Sequence, residues 1–232
     1  MPYRRLPTTD VARLKALHAC THKADLLQLD ELAYPAEYIH PLRNIINKLE
    51  GAKHQQNQAR RLQVTFNREY QPKLTKTRLY LSHFIQVLNL AIIREEIPES
   101  ARSFYGLEDF GHRLPDLRSD KDILEWGKKI IDGENQRLKT GGIPINTPNV
   151  ARVKVWYDQF RDGYYNQVTA NKSTLRADEK MLEIRKEVDK LLATVWDCIE
   201  KFYGSLHEAE RHKLAETYGI VYVLRKGEKE IT

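Results

Sequence analysis

One feature constrains this chain more than any other. From Leu42 onward, Ile45, Ile46, Leu49, Ala52, Gln56, Ala59, Leu62 and Phe66 recur at steps of three and four. Only a helix puts residues so spaced on one face, so the pattern predicts a long helix opening near Pro35 or Ala36. The rhythm resumes at Leu74, Leu81, Phe84, Ile85, Leu88 and Ile92. Pro72 lies inside it and removes one ladder bond, which predicts a kink or a short break there. Gln56 is the polar exception in the seam, and such a residue can fix helix register.

Thr8-Thr9-Asp10 reads as the cap of a shorter helix ending near Thr21 or Lys23. Between Ile97 and Pro115, Pro98, Gly106 and Gly111 break the text into a loop with its own anchors, Phe104, Tyr105, Leu107 and Phe110. Ser119 or Asp120 then caps a helix that fades towards Leu138. Thr147-Pro148 restarts the chain as a cap followed by proline. Two stripes follow, Val150 to Val168 and Met181 to Phe202, with a break and a cap expected in Asn171-Lys172-Ser173-Thr174. Ser205 to Glu208 reads as a capping box opening a helix that runs to about Tyr218, with Gly219 just past its end.

The expected fold is therefore all-α: a single domain over 1–232, an elongated antiparallel helical bundle with arms at 36–95 and 148–204. An insert covers 97–147, and a short β-prone tail covers 219–232. Ile220, Val221, Tyr222, Val223 and Leu224 form the one strongly β-prone pentamer. With no strand identified elsewhere to pair with, it reads as a docking tail for a protein partner or for a second copy in a homodimer; the alternative is that it folds back against the bundle, paired with one loop strand.

Charged residues make up 30% of the chain and apolar ones 41%. No apolar run approaches the roughly 20 residues a membrane span needs, so no membrane partner is expected. Met1 to Pro7 has a basic start without an apolar stretch behind it, which with two cysteines reads as a cytoplasmic protein with reduced thiols.

Catalytic patterns are few. His18 and His22 stand one helical turn apart, a spacing that can clamp a metal, but Ala19 stands where the familiar motif has its glutamate. Glu37-Tyr38-Ile39-His40 is half of a di-metal motif with no second copy. No nucleotide or hydrolase signature occurs, so neither a cofactor nor a catalytic residue is assigned. An enzyme would centre on the 103–118 loop, with His112 and Arg113 near Glu108 and Asp109. Tyr157, Tyr164 and Tyr165, near Trp156 and Arg161, have the spacing of core aromatics.

Charge is unevenly placed: residues 1–94 carry +8, residues 95–138 carry −4 and residues 139–232 carry +2. Lys53, Arg60, Arg61, Arg68, Lys73, Lys76 and Arg78 account for most of the excess. On a helix they would extend over about 40 Å, enough to follow several phosphates of a nucleic acid. The alternative is that this face packs on the acidic middle segment or is simply solvated.

Leu6-Pro7-Thr8-Thr9-Asp10-Val11-Ala12-Arg13-Leu14 and Tyr218-Gly219-Ile220-Val221-Tyr222-Val223-Leu224-Arg225-Lys226-Gly227 resemble the two ends of an uncharacterised bacterial family of all-helical proteins. The resemblance implies a bacterial cytosolic setting and no mechanism. The reading the sequence favours is a non-enzymatic helical interaction or scaffold protein. Low-specificity nucleic-acid binding through 53–78, and an uncharacterised enzyme or metal-binding bundle, are the alternatives.

Overall fold

A computed structural model describes residues 2–224. The fold is all-α, with helices α1 (Asp10–Leu26), α2 (Ile39–Ile93), α3 (Asp120–Lys139), α4 (Val150–Phe202) and α5 (Glu208–Glu216). Two short strands, β1 (Tyr3–Arg5) and β2 (Val221–Val223), are the only sheet among the described residues. The chain divides into two compact units, one formed by residues 1–59 with 174–232 and the other by residues 60–173.

In the first unit, α1, the start of α2 and the end of α4 share one apolar core. Leu17, Leu42, Leu49, Val188, Leu192 and Trp196 are fully buried in it. Thr9 caps α1 by accepting the Ala12 amide at 3.2 Å. Two ion pairs then bind α1 to α4: Arg13 grips Asp189 with two bonds of 2.8 Å, and Arg185 grips Asp10 at 2.7 and 2.6 Å. Planar guanidinium matched to planar carboxylate fixes orientation as well as distance.

β1 and β2 pair antiparallel, with Tyr3 opposite Val223 and Arg5 opposite Val221. The pentamer 220–224 therefore does have a partner within the chain, contrary to the docking-tail expectation from sequence. Tyr-Arg-Arg carries no apolar alternation, so nothing local marks it as a strand. Gly219 turns the chain into β2 with φ +83°, a conformation that costs glycine little. A Cβ there would stand 2.8 Å from Ala16 Cα, so glycine also permits the close approach to α1.

In the second unit, the rest of α2 packs with α3 and the first part of α4. Leu81, Phe84, Ile85, Ile123, Ile130 and Phe160 fill its centre. The 97–118 stretch is partly ordered into 3₁₀ turns at Glu99–Tyr105 and Glu108–Phe110. Tyr105 and Leu107 are its buried anchors. Gly133 of α3 lets the first turn come close, since a Cβ there would lie 2.3 Å from the Phe104 carbonyl oxygen. Ser119 caps α3 in a full capping box with Asp122.

Three local expectations change, and a fourth is narrowed: of the kink or short break expected at Pro72, the break does not occur, since α2 is one helix from Ile39 to Ile93. Pro72 and Arg68, whose carbonyl loses its partner, are both exposed, so water can satisfy that oxygen. Helix α4 also runs unbroken through Asn171–Thr174, because Thr174 turns inward and is buried, while Asn171 accepts Gln63 Nε2 at 2.8 Å. Its cap is Asn149, whose side chain accepts the Arg152 amide at 2.9 Å. Ser205 caps nothing: α5 starts at Glu208, after His207, with no side-chain cap.

Candidate functional site

Two buried polar clusters in the second unit are the first places to look for chemistry. In one, Glu134 and Arg137, both buried, are paired one helical turn apart on α3. Arg137 donates to both carboxylate oxygens at 2.9 Å, to the Tyr105 hydroxyl at 2.8 Å and to the Ile143 carbonyl at 2.7 Å. Glu134 also accepts from the Tyr105 hydroxyl and from the Ile145 amide, the latter at 3.2 Å. Burial first, and the neighbouring Glu134 second, push the Tyr105 phenol well above its ordinary range. Both Glu134 oxygens and the Nε and Nη2 of Arg137 are engaged inside the cluster, which clamps the 143–145 segment to α3.

The second cluster borders the 103–118 loop, where the site of an enzyme would centre. Arg102 is only 3% exposed, and no carboxylate pairs with it among the described residues. It donates to Asn89 Oδ1 at 2.7 Å and meets His112 Nδ1 at 3.1 Å. Asn89 in turn donates to the His112 carbonyl at 3.1 Å. A guanidinium can only donate, so Nδ1 is the acceptor in this contact. Through its ring and its carbonyl His112 fastens the loop to Arg102 and Asn89, and Glu108, Asp109 and Arg113 are exposed around it.

The other residues singled out from sequence are dispersed. His18 stands 3.8 Å from Glu50, both exposed, and His22 is exposed on the same helix. No group of three or more His, Cys, Asp or Glu that could hold a metal occurs among the described residues. Lys53 belongs to the first unit and the remaining basic residues to the second. Arg78 is committed to the loop, donating to the Leu117 and Arg118 carbonyls at 2.8 and 2.9 Å. Lys73 is half-buried. Arg61, Arg68 and Lys76 are exposed on α2, and Arg60 is exposed and engaged. The stretch therefore does not present one continuous row of free cations. Tyr157 is a core residue that donates to the Leu124 carbonyl at 3.0 Å, and Trp156 stacks on Tyr80.

What does stand open is a groove in the first unit. Leu29, Leu32, Tyr34 and Pro35 form one wall, Cys198, Lys201 and Phe202 of α4 the other, around about 520 Å³. Leu29 is 66% exposed and Phe202 51%. Large apolar side chains bordering one groove are the usual mark of an interaction surface.

No protein family, no curated protein and no solved structure matches this chain. No helix among the described residues is long and apolar enough to cross a membrane.

The groove is the feature that sequence reading missed. Phe202 falls in phase with the buried stripe from Met181 to Ile199, which made it look like core. The helix ends there, and the next turn of packing never arrives. Leu29 follows the end of α1 and belongs to no periodic stripe, which is the one signal that pointed outward.

Proposed function

We propose that this is a non-enzymatic helical interaction protein that docks a protein partner through the groove between Leu29 and Phe202. The exposure of these two side chains on either side of one apolar groove carries the reading. Burying a leucine and a phenylalanine from water contributes roughly 1.5–3 kcal/mol each, which is the scale of an interface hot spot. The two buried polar clusters add support, because their groups are consumed in holding segments in place. Both cysteines are free thiols, which fits a reducing, cytosolic setting.

Cys198 lines the groove and is half-buried, whereas Cys20 is fully buried, so a thiol-directed photocrosslinker can be placed at Cys198 alone. Irradiation in extract from the native host should give one discrete adduct, with a second copy of the chain or with another protein. Phe202→Asp and Leu29→Asp should abolish it while leaving the helical circular dichroism unchanged. An adduct pattern that these substitutions leave untouched would overturn the proposal.

A further inference from the structure

A second opening lies elsewhere in the first unit, and its chemistry differs from that of the groove. It holds about 650 Å³, within the roughly 300–1,000 Å³ typical of small-molecule sites. Its floor is α1. Ala12, Ala16 and Ala19 line it, at spacings that put them on one helical face. Ala12 is half-buried at this floor, and a leucine there would extend into the space. Leu6 and Pro7 wall one side, Ile220 and Val221 the other, and Trp196 contributes from α4.

The charges are unequal. Arg5 and Lys15 both line the cleft, and neither has an ion-pair partner among the described residues; Glu216 is the one acid among the lining residues. An apolar floor with two cations that have no ion-pair partner among the described residues fits a molecule that has one hydrocarbon portion and one anionic end. Glu216 disfavours a doubly charged head and leaves room for a single carboxylate.

We propose that this cleft binds a single-chain carboxylate amphiphile, its chain over Ala12, Ala16 and Ala19 and its head between Arg5 and Lys15. The site is independent of the groove at Phe202: neither its lining nor its ligand depends on a protein partner.

Sodium decanoate and decyltrimethylammonium bromide, each below its micelle concentration, are the probes, titrated into the full ¹⁵N-labelled chain and followed by amide chemical shifts. Decanoate should bind saturably, with the largest shifts at Ala12, Lys15, Ala19 and Val221, and the cationic probe should bind at least roughly tenfold more weakly. Lys15→Glu, at an exposed position, should weaken decanoate by roughly five- to tenfold and narrow the gap between the probes. Ala12→Leu should remove decanoate binding by filling the floor. If Ala12→Leu fails to fold, the Lys15→Glu titration decides alone. The proposal is overturned by absence of saturable decanoate binding, by shifts centred elsewhere, by equal affinity for the two probes, or by a Lys15→Glu chain that binds decanoate as the wild type does.

Discussion

Gln56 of α2 donates to Asp178 of α4 across 2.6 Å, from a position only 7% exposed inside an otherwise apolar seam. A leucine there would pack as well but would take the donor from a half-buried carboxylate. Gln56→Leu should therefore cost about 1–2 kcal/mol despite its larger apolar surface. Urea denaturation, with a double-mutant cycle against Asp178→Asn, measures the coupling; a stabilised single variant would refute this account of the pair.

Removing Glu134 should be far more costly. Glu134→Ala leaves Arg137 buried without its carboxylate and releases the Ile145 amide. The expected loss is about 3–5 kcal/mol, the usual consequence of breaking one side of a buried ion pair. Hydrogen exchange at Ile145 should accelerate with it. A loss below about 1 kcal/mol would show that the pair is dispensable.

Asp10 gives the first unit an acid limit. Its hydrogen bond to Arg185 holds its carboxyl below the ordinary 3.8, against the opposing effect of burial, with the charges of Arg185, Arg13 and Lys53 assisting. A depressed folded-state pKa contributes stability in full above the unfolded value and loses it as pH falls through the folded one. Asp10→Asn should thus be less stable than wild type at neutral pH, and the gap should close as the pH falls below the ordinary 3.8 and through the lowered folded-state value. A gap independent of pH would mean that the charge of Asp10 contributes nothing.

The two thiols should differ sharply in reactivity. Burial pushes the Cys20 thiol up to about 12, partly offset by the Trp196 indole. The thiolate is the reacting form, so Cys20 should resist iodoacetamide at neutral pH until the chain unfolds. Cys198, half-buried at the groove, should be alkylated in the native protein. Mass spectrometry of the native and denatured protein separates the two, and native modification of Cys20 would count against its burial.

Much of this molecule is legible where cause and effect lie within one or two helical turns. The seam from Leu42 announces α2, Gln56 stands out within it, Ser119 caps α3, and Gly219 ends the turn after α5. Inside the seam Leu62 and Phe66 depart, Leu62 lying 48% exposed and Phe66 half-buried. Elsewhere the deciding neighbour is distant in sequence. Thr174 looks like a cap residue until α4 turns it inward, and Tyr3–Arg5 becomes a strand only because Val221–Val223 lies beside it. The exposure of Phe202 is set by what fails to cover it, which no local pattern encodes. Chemical function was less visible still: His112 attracts notice as a base, whereas its contacts with the buried Arg102 and with Asn89, which fasten it to the loop, come from residues 10 and 23 positions away.

The pairing of β1 with β2 also bears on how the chain is made. The second unit is one uninterrupted stretch, 60–173, whereas the first is assembled from segments on both sides of it. During synthesis, at roughly 5–20 residues per second, the second unit can close while half of the first has yet to leave the ribosome. Leu17, Cys20 and Leu42 must therefore wait, uncovered, for Val188, Leu192 and Trp196. That interval exposes the nascent chain to chaperones and to aggregation, and it lasts until Val188, Leu192 and Trp196 have emerged.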